Sequence, residues 1–161
     1  MAVDLAQYGI DRDPDKIHEQ LIYTTALIYN VLNSDISTYL AQFDMTPGKL
    51  NVLVAIQHHG VEEGLPQVQI SRHLIVTKSN MTKHLDKLER EGLITRSSRP
   101  GDRRVKIVRI TPKAQKLLDG LWDRYNQRLQ ELTRKLSPVK QKQLAGLLME
   151  WFGGLVEGVN P

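Results

Sequence analysis

The chain has 161 residues, 40% of them apolar and 25% charged, with a formal net charge of +4 and no cysteine. That is enough chain for one packed domain, and the composition is that of an ordinary globular protein, which argues against disorder except at the ends. The missing cysteines exclude a disulfide scaffold, a thiol nucleophile, a cysteine redox sensor and a thiolate metal site.

The opening stretch "MAVDLAQYGIDRDPDK" is acidic and has no signal-peptide core, and no apolar run nears the roughly 20 residues that cross a bilayer. A cytoplasmic protein without a membrane partner is expected. The first long helix is predicted over residues 15–42. Asp13 or Asp15 can cap it, Pro14 suits its first turn, and Ile17, Leu21, Thr24, Ile28, Leu32, Ile36 and Tyr39 recur at helical spacing. "MTPGKLNVLVAIQHH" predicts the next helix, with Thr46 as N-cap, Pro47 at N1, and an inner face of Leu50, Val54 and Ile56 or Gln57. Gly60 ends it, "GVEEGLPQ" reads as a loop, and a short helix follows over 67–74.

"VTKSNMTKHLDKLEREGLI" predicts the best-defined helix, with Thr77 as N-cap and Gly92 as the stop. Met81, Leu85 and Leu88 form one stripe, while Ser79, Thr82, Lys83, Asp86 and Arg90 fall opposite it and Asn80 and Lys87 flank them. Two strands, 93–98 and 105–110, flank the turn "RPGDRR" and predict a hairpin. Thr111-Pro112 starts a long helix to about residue 136, and Ser137-Pro138 starts a last one to about 156, rich in Leu144, Leu147, Leu148, Trp151, Phe152 and Leu155. A helix-turn-helix followed by a β-hairpin is a winged helix. Both chain ends carry long helices with surplus apolar faces, which are either core or the seat of another subunit.

Charge is unevenly spread. Residues 1–76 carry 4 Lys or Arg against 9 Asp or Glu, residues 77–113 carry 11 against 4, and residues 114–161 carry 7 against 5. A basic middle beside an acidic remainder suits a polyanion such as nucleic acid, although charge alone equally fits a solvated basic face. The predicted recognition helix begins with Ser79, Asn80, Thr82 and Lys83, side chains able to bond base edges in the major groove, and Lys78 can help its N-terminus hold a phosphate. Arg99, Arg103 and Arg104, with Arg96 and Lys106 nearby, crowd one tight turn, where a slender arginine can enter the minor groove. Asp102 stands two residues from Arg104 and can orient its guanidinium.

The segment "TKSNMTKHLDKLEREGLITRSSRPGDRRVKIVRITPKA" resembles the DNA-binding core of the MarR family of bacterial transcription regulators. Leu88-Glu89, Gly92-Leu93-Ile94, Asp102 with Arg104, and Ile110-Thr111 carry the resemblance. Ile110 replaces the usual leucine, and Ala114 stands where glycine is common. The resemblance covers roughly residues 15–157 and implies a single domain over 1–161. Within it, residues 46–111 form a winged helix-turn-helix lobe, and residues 15–42 and 112–157 supply dimerisation helices. It implies a mainly α fold with a small β-hairpin wing, and a homodimer reading double-stranded DNA at a pseudo-palindromic operator. Arg104 becomes the minor-groove arginine, with Asp102 orienting it.

It also implies a repressor relieved by a small anionic aromatic effector. Tyr23, Tyr29, His58, Trp122 and Arg124 are candidates to line that pocket, and equally ordinary core or surface groups. An activator, or a winged helix used only for protein contacts, remains the alternative. The sequence has no Gly-rich phosphate loop, no Gly-x-Ser-x-Gly elbow and no HExxH helix. Glu62-Glu63 sit in a loop without a partner histidine at useful spacing, so no enzyme and no cofactor are expected. His58 and His59 are adjacent and point about 100° apart on a helix, a poor pair for one metal ion.

Overall fold

A computed structural model describes residues 5–11, 13–60, 63–74 and 78–157, without the side chain of Lys78. The chain forms two compact units, Met1–Pro47 and Gly48–Pro161. In the first, Asp13 caps a 3-10 turn over Pro14–Lys16 by accepting from the Asp15 N–H at 3.0 Å, and Pro14 occupies the first turn as the sequence predicts. Helix α1 (Ile17–Ala41) follows directly. Of its residues only Leu40 is buried, while Ile17, Leu21, Ile28 and Tyr29 are half or more exposed. The chain turns out of α1 through Asp44 in the left-handed region (φ 52°), and the Met45 N–H returns to the Leu40 carbonyl at 3.1 Å.

The second unit carries α2 (Pro47–His59), β1 (Leu65–Pro66), α3 (Gln67–His73), α4 (Lys78–Arg90), β2 (Ile94–Arg99), β3 (Asp102–Ile110), α5 (Pro112–Thr133) and α6 (Pro138–Val156). This is mostly helix with one three-stranded antiparallel sheet in the order β1-β3-β2. Three details depart from the sequence reading. Leu65–Pro66, read as loop, pairs with Val108 and Ile107 as an edge strand. The turn between β2 and β3 is only Pro100-Gly101, so residues 102–104 belong to β3. Helix α2 buries Leu50, Val52, Leu53, Ala55 and Ile56 but leaves Val54 and Gln57 half-buried; it is wrapped on several sides, so a single stripe is not its pattern. The predicted cap at Thr77 lies outside the described residues.

Helix α4 packs on α3 and β2, and Met81, Leu85 and Leu88 are fully buried, as their spacing predicts. Its end is closed by Gly92 at φ 69°: the Gly92 N–H reaches the Glu89 carbonyl at 2.9 Å and the Leu93 N–H reaches Leu88 at 2.9 Å. These two bonds are the Schellman pattern, and buried Leu93 supplies its apolar contact. Thr111 then ties α5 to the same point. Its N–H bonds the Leu93 carbonyl (3.0 Å), its hydroxyl donates to the Gly92 carbonyl (2.8 Å), and its oxygen accepts from the Ala114 N–H (3.2 Å) as the helix N-cap. Lys113 Nζ adds a bond to the Glu91 carbonyl at 2.8 Å. Beyond Leu121 the burial ends: α6 has no buried residue, and Val139, Leu147, Met149, Phe152 and Leu155 are more than half exposed.

A methyl group added at Gly92 meets nothing within 4 Å, so the cost of substitution there is the left-handed backbone alone. Gly92→Ala is expected to lower unfolding stability by about 1 kcal/mol, read from chemical denaturation, with secondary structure unchanged.

Candidate nucleic-acid interface

The exposed face of α4 carries Ser79, Asn80, Thr82 and Lys83, all open to solvent and all in its N-terminal half. The stripe of Met81, Leu85 and Leu88 fixes which way they point. Thr82 is also held from the neighbouring helix: Gln67 Nε2, at the start of α3, donates to its hydroxyl oxygen at 3.2 Å. Thr82 is thus exposed with its hydroxyl oxygen held from α3. Sequence reasoning missed Gln67, because a contact fifteen residues apart leaves no periodic trace.

The wing is built from β2 and β3. Arg99, Arg103 and Arg104 are exposed at or beside the Pro100-Gly101 turn. Asp102 does not act as the sequence suggests. Its carboxylate accepts from the backbone N–H of Arg104 at 3.0 Å, across two residues, so it shapes the main chain at the strand entry. The expected bond to the guanidinium is not the one the structure holds.

Arg96 and Lys106, which the sequence groups with the basic tip, are occupied elsewhere. Lys106 Nζ donates to Ser98 Oγ at 2.9 Å across the hairpin. Arg96 turns toward α4, with Nε 2.9 Å from Glu89 Oε2 and a terminal nitrogen 2.7 Å from Asp86 Oδ1, and it also contacts Glu89 through that terminal nitrogen. One guanidinium thus clamps the wing to the recognition helix. The hydrogen bond from Arg96 holds the Glu89 carboxyl below the usual carboxylate range, and Glu89 and Asp86 raise Arg96 in return. A second tie joins α2 to the end of α4: Lys49, almost fully buried, places Nζ 2.6 Å from Glu91.

The five residues considered for an effector pocket divide between the two units. Tyr23 and Tyr29 are both exposed on α1, six positions and so about 120° apart. In the second unit His58 and Arg124 are exposed, and Trp122 packs against Tyr125 with ring centroids 6.0 Å apart; burial pushes the Tyr125 hydroxyl up. Trp122 and Arg124 lie about 200° apart on α5, on opposite faces. The histidines make a contact the sequence does not show: His59, ending α2, stacks on His73, ending α3, with centroids 4.0 Å apart and rings parallel to within 1°. Burial, and then the neighbouring His59, pull His73 below its ordinary value. Among the described residues no group of three or more His, Asp or Glu is set to hold a metal, and no helix is long and apolar enough to cross a membrane.

A paired α3 and α4, an exposed polar helix face and a basic three-stranded wing define the winged helix-turn-helix class of DNA-binding proteins. Comparison with known proteins narrows the class. Residues 45–106 match the family model described as MarR family. The chain is 32% identical over 109 residues to the uncharacterized HTH-type transcriptional regulator YfiV of Bacillus subtilis, covering 68% of this chain and 65% of that protein. It therefore spans just under two thirds of that relative's length. The S. aureus MepR-DNA complex superposes with a TM-score of 0.75 at 26% identity, over 82% of this chain and 96% of that one. A mutant MarR from E. coli complexed with operator DNA shares the fold, with a TM-score of 0.76 at 24% identity over 86% and 97% of the two chains. Residues 45–106 thus carry a MarR-family domain, and over 109 residues the chain is similar to an HTH-type transcriptional regulator.

The Arg96 clamp has a signed pH dependence. A depressed folded-state carboxyl contributes stability above its unfolded value, near 4.3, and loses it as pH falls through the folded value. Both carboxylates are well exposed, so the clamp is worth at most about 1 kcal/mol. Glu89→Gln is expected to lower stability by up to about 1 kcal/mol at neutral pH and by nothing measurable once pH has fallen below the depressed folded-state value of the carboxyl, followed by denaturation at a series of pH values.

Proposed function

We propose that this protein is a homodimeric, sequence-specific DNA-binding transcription regulator of the cytoplasm. It represses from a pseudo-palindromic operator and releases it on binding a small anionic aromatic effector. The single observation that carries DNA binding is the N-terminal half of α4: four exposed polar side chains on either side of Met81, aimed by a fully buried Met-Leu-Leu stripe. Ser79, Asn80, Thr82 and Lys83 read base edges in the major groove, and Lys78 with the helix N-terminus meets a phosphate. Arg104 enters the minor groove, Arg99 and Arg103 track the backbone, and Asp102 sets the strand entry from which Arg104 projects. The MepR relative was solved on DNA with the same fold, which supports this docking.

The dimer reading is supported by the apolar surface of α1 and α6. Residues such as Ile22, Val31, Leu147, Met149 and Phe152 are each more than half exposed in the single chain, far beyond scattered surface hydrophobics. Residues 46–111 then form the DNA-reading lobe of one domain, with 15–42 and 112–157 as its dimerisation helices, and a two-fold pair presents two α4 helices to successive turns of the major groove.

Selection from a random duplex pool, followed by salt-titrated binding to the enriched sequence, tests the reading. A steep loss of affinity with salt and an enriched pseudo-palindrome are expected; no enrichment from a folded dimer overturns it. Arg104→Ala is expected to weaken operator binding by about 1–3 kcal/mol in the same assay. Asn80→Ala is expected to cost about 1–3 kcal/mol on the selected sequence and little on unrelated duplex, because a base-edge contact carries specificity while the phosphate contacts remain.

A further inference from the structure

Thr82 stands within the exposed polar face of α4, and its own helix does not fix its side chain. A helical threonine divides between two staggered arrangements, because its oxygen can turn back onto a carbonyl one turn earlier. The place that the hydroxyl holds in one arrangement is taken by the methyl group in the other. In the major groove the two groups read different things: a hydroxyl bonds to a base edge, and a methyl packs on the thymine methyl. Which of them meets a base is therefore open until a group outside α4 chooses between the arrangements.

Gln67 is placed to make that choice. Its Nε2 donates to Thr82 Oγ1 at 3.2 Å, from the first residue of α3 to the fifth of α4. The donor itself has a fixed seat. Pro66, directly before it, pairs with Ile107 of β3, the strand that also carries Arg103 and Arg104. Behind it, α3 is anchored by fully buried Ile70 and by Ser71, whose hydroxyl donates to the Gln67 carbonyl at 3.3 Å. The sheet that presents the wing arginines thus also sets where the Gln67 amide stands. Because the bond to Thr82 is exposed and joins two neutral groups, water competes for both ends and the bond adds little to folding. Its effect is on the direction of the threonine.

We propose that Gln67 is a specificity-determining positioning residue, which holds the Thr82 hydroxyl toward α3 and thereby sets the base preference at the operator position that Thr82 reads. This role rests on the reading of α4 as the base-contacting helix. Gln67 acts through Thr82 and contacts no base of its own.

Selection from the random duplex pool with the full-length parent and its variants, followed by affinities for operators changed one base at a time, tests this role. Thr82→Val, which exchanges the hydroxyl for a methyl group, marks the operator position that Thr82 reads. Gln67→Met keeps the length of the side chain and loses the N–H. It is expected to lower the base preference at the marked position by about threefold or more and to leave the other positions, the affinity for unrelated duplex and the salt dependence at parent values. Gln67→Ala is the second variant, with the same expected result. In the Thr82→Val background Gln67→Met is expected to have no further effect; in the Thr82→Ser background, which keeps the oxygen, its effect is expected to return. Unchanged preference in both Gln67 variants, or a full effect of Gln67→Met in the Thr82→Val background, overturns the role. A uniform loss on all duplexes makes Gln67 a backbone contact and overturns it as well. An operator with no position altered by Thr82→Val overturns the role and leaves DNA reading intact, whereas a folded parent that selects no operator overturns DNA reading and this role with it.

Discussion

Everything that aims this protein at a partner passes through the junction where α4 stops. The end of α4, the root of β2 and the start of α5 meet there. Gly92 takes the left-handed conformation that ends the helix, Leu93 carries the closing bond back to Leu88, and Thr111 bonds the carbonyls of both Gly92 and Leu93 while capping α5. A helix end leaves carbonyls without partners, and burying them unpaired would cost about as much as a lost hydrogen bond each. The junction instead uses them as the attachment of the next two elements. The direction of the recognition helix, the root of the wing and the start of α5 thereby become one geometric quantity. The Gly-Leu-Ile and Ile-Thr pieces of the family pattern are the residues this joint requires.

The same economy appears in how charge is spent. The middle of the chain is strongly basic, yet its cations are not equivalent. Arg96 faces inward on Asp86 and Glu89 and Lys106 on Ser98, while Lys49, from the acidic first stretch, pairs with Glu91. These partnered groups hold helix, strand and α2 in register at modest energetic return, since most are exposed and screened. Arg103 and Arg104 stay at the tip, where no packing competes for them. A tally of arginines therefore overstates the charge available to a phosphate backbone, and the face of the sheet on which each stands decides its use.

Much of this was legible beforehand, and for definable reasons. The α4 stripe, the Gly92 stop, the Thr111 and Ser137 caps and the Pro-Gly turn rest on local chemistry, and each is realised. The β1 strand escaped notice because two residues carry no alternation, and only the partner strand at Ile107 and Val108 gives them an identity. The role of Asp102 was misjudged because a two-residue offset suits a main-chain N–H as well as a guanidinium, and the shorter reach wins. The His59 and His73 stack and the Gln67 bond to Thr82 depend on elements meeting in space, which spacing along the chain does not encode.

The long helices raise the opposite problem, because their pattern was read correctly and its consequence lies outside one chain. Periodic apolar residues on α1 and α6 predict a buried face, but the only buried residue on either helix is Leu40, near the end of α1. Water tolerates isolated exposed apolar side chains, and it penalises contiguous ones by roughly 25 cal/mol for each Å². Val139, Leu147, Met149, Phe152 and Leu155 follow one another along a single helix with no charged residue among them except Glu150 and the lysines at 140 and 142. Apolar surface spread this widely round one helix would make the lone chain prone to nonspecific association. The proposed second copy removes that liability and, by the same contact, fixes the spacing of two recognition helices, so solubility and DNA geometry are met by one interface.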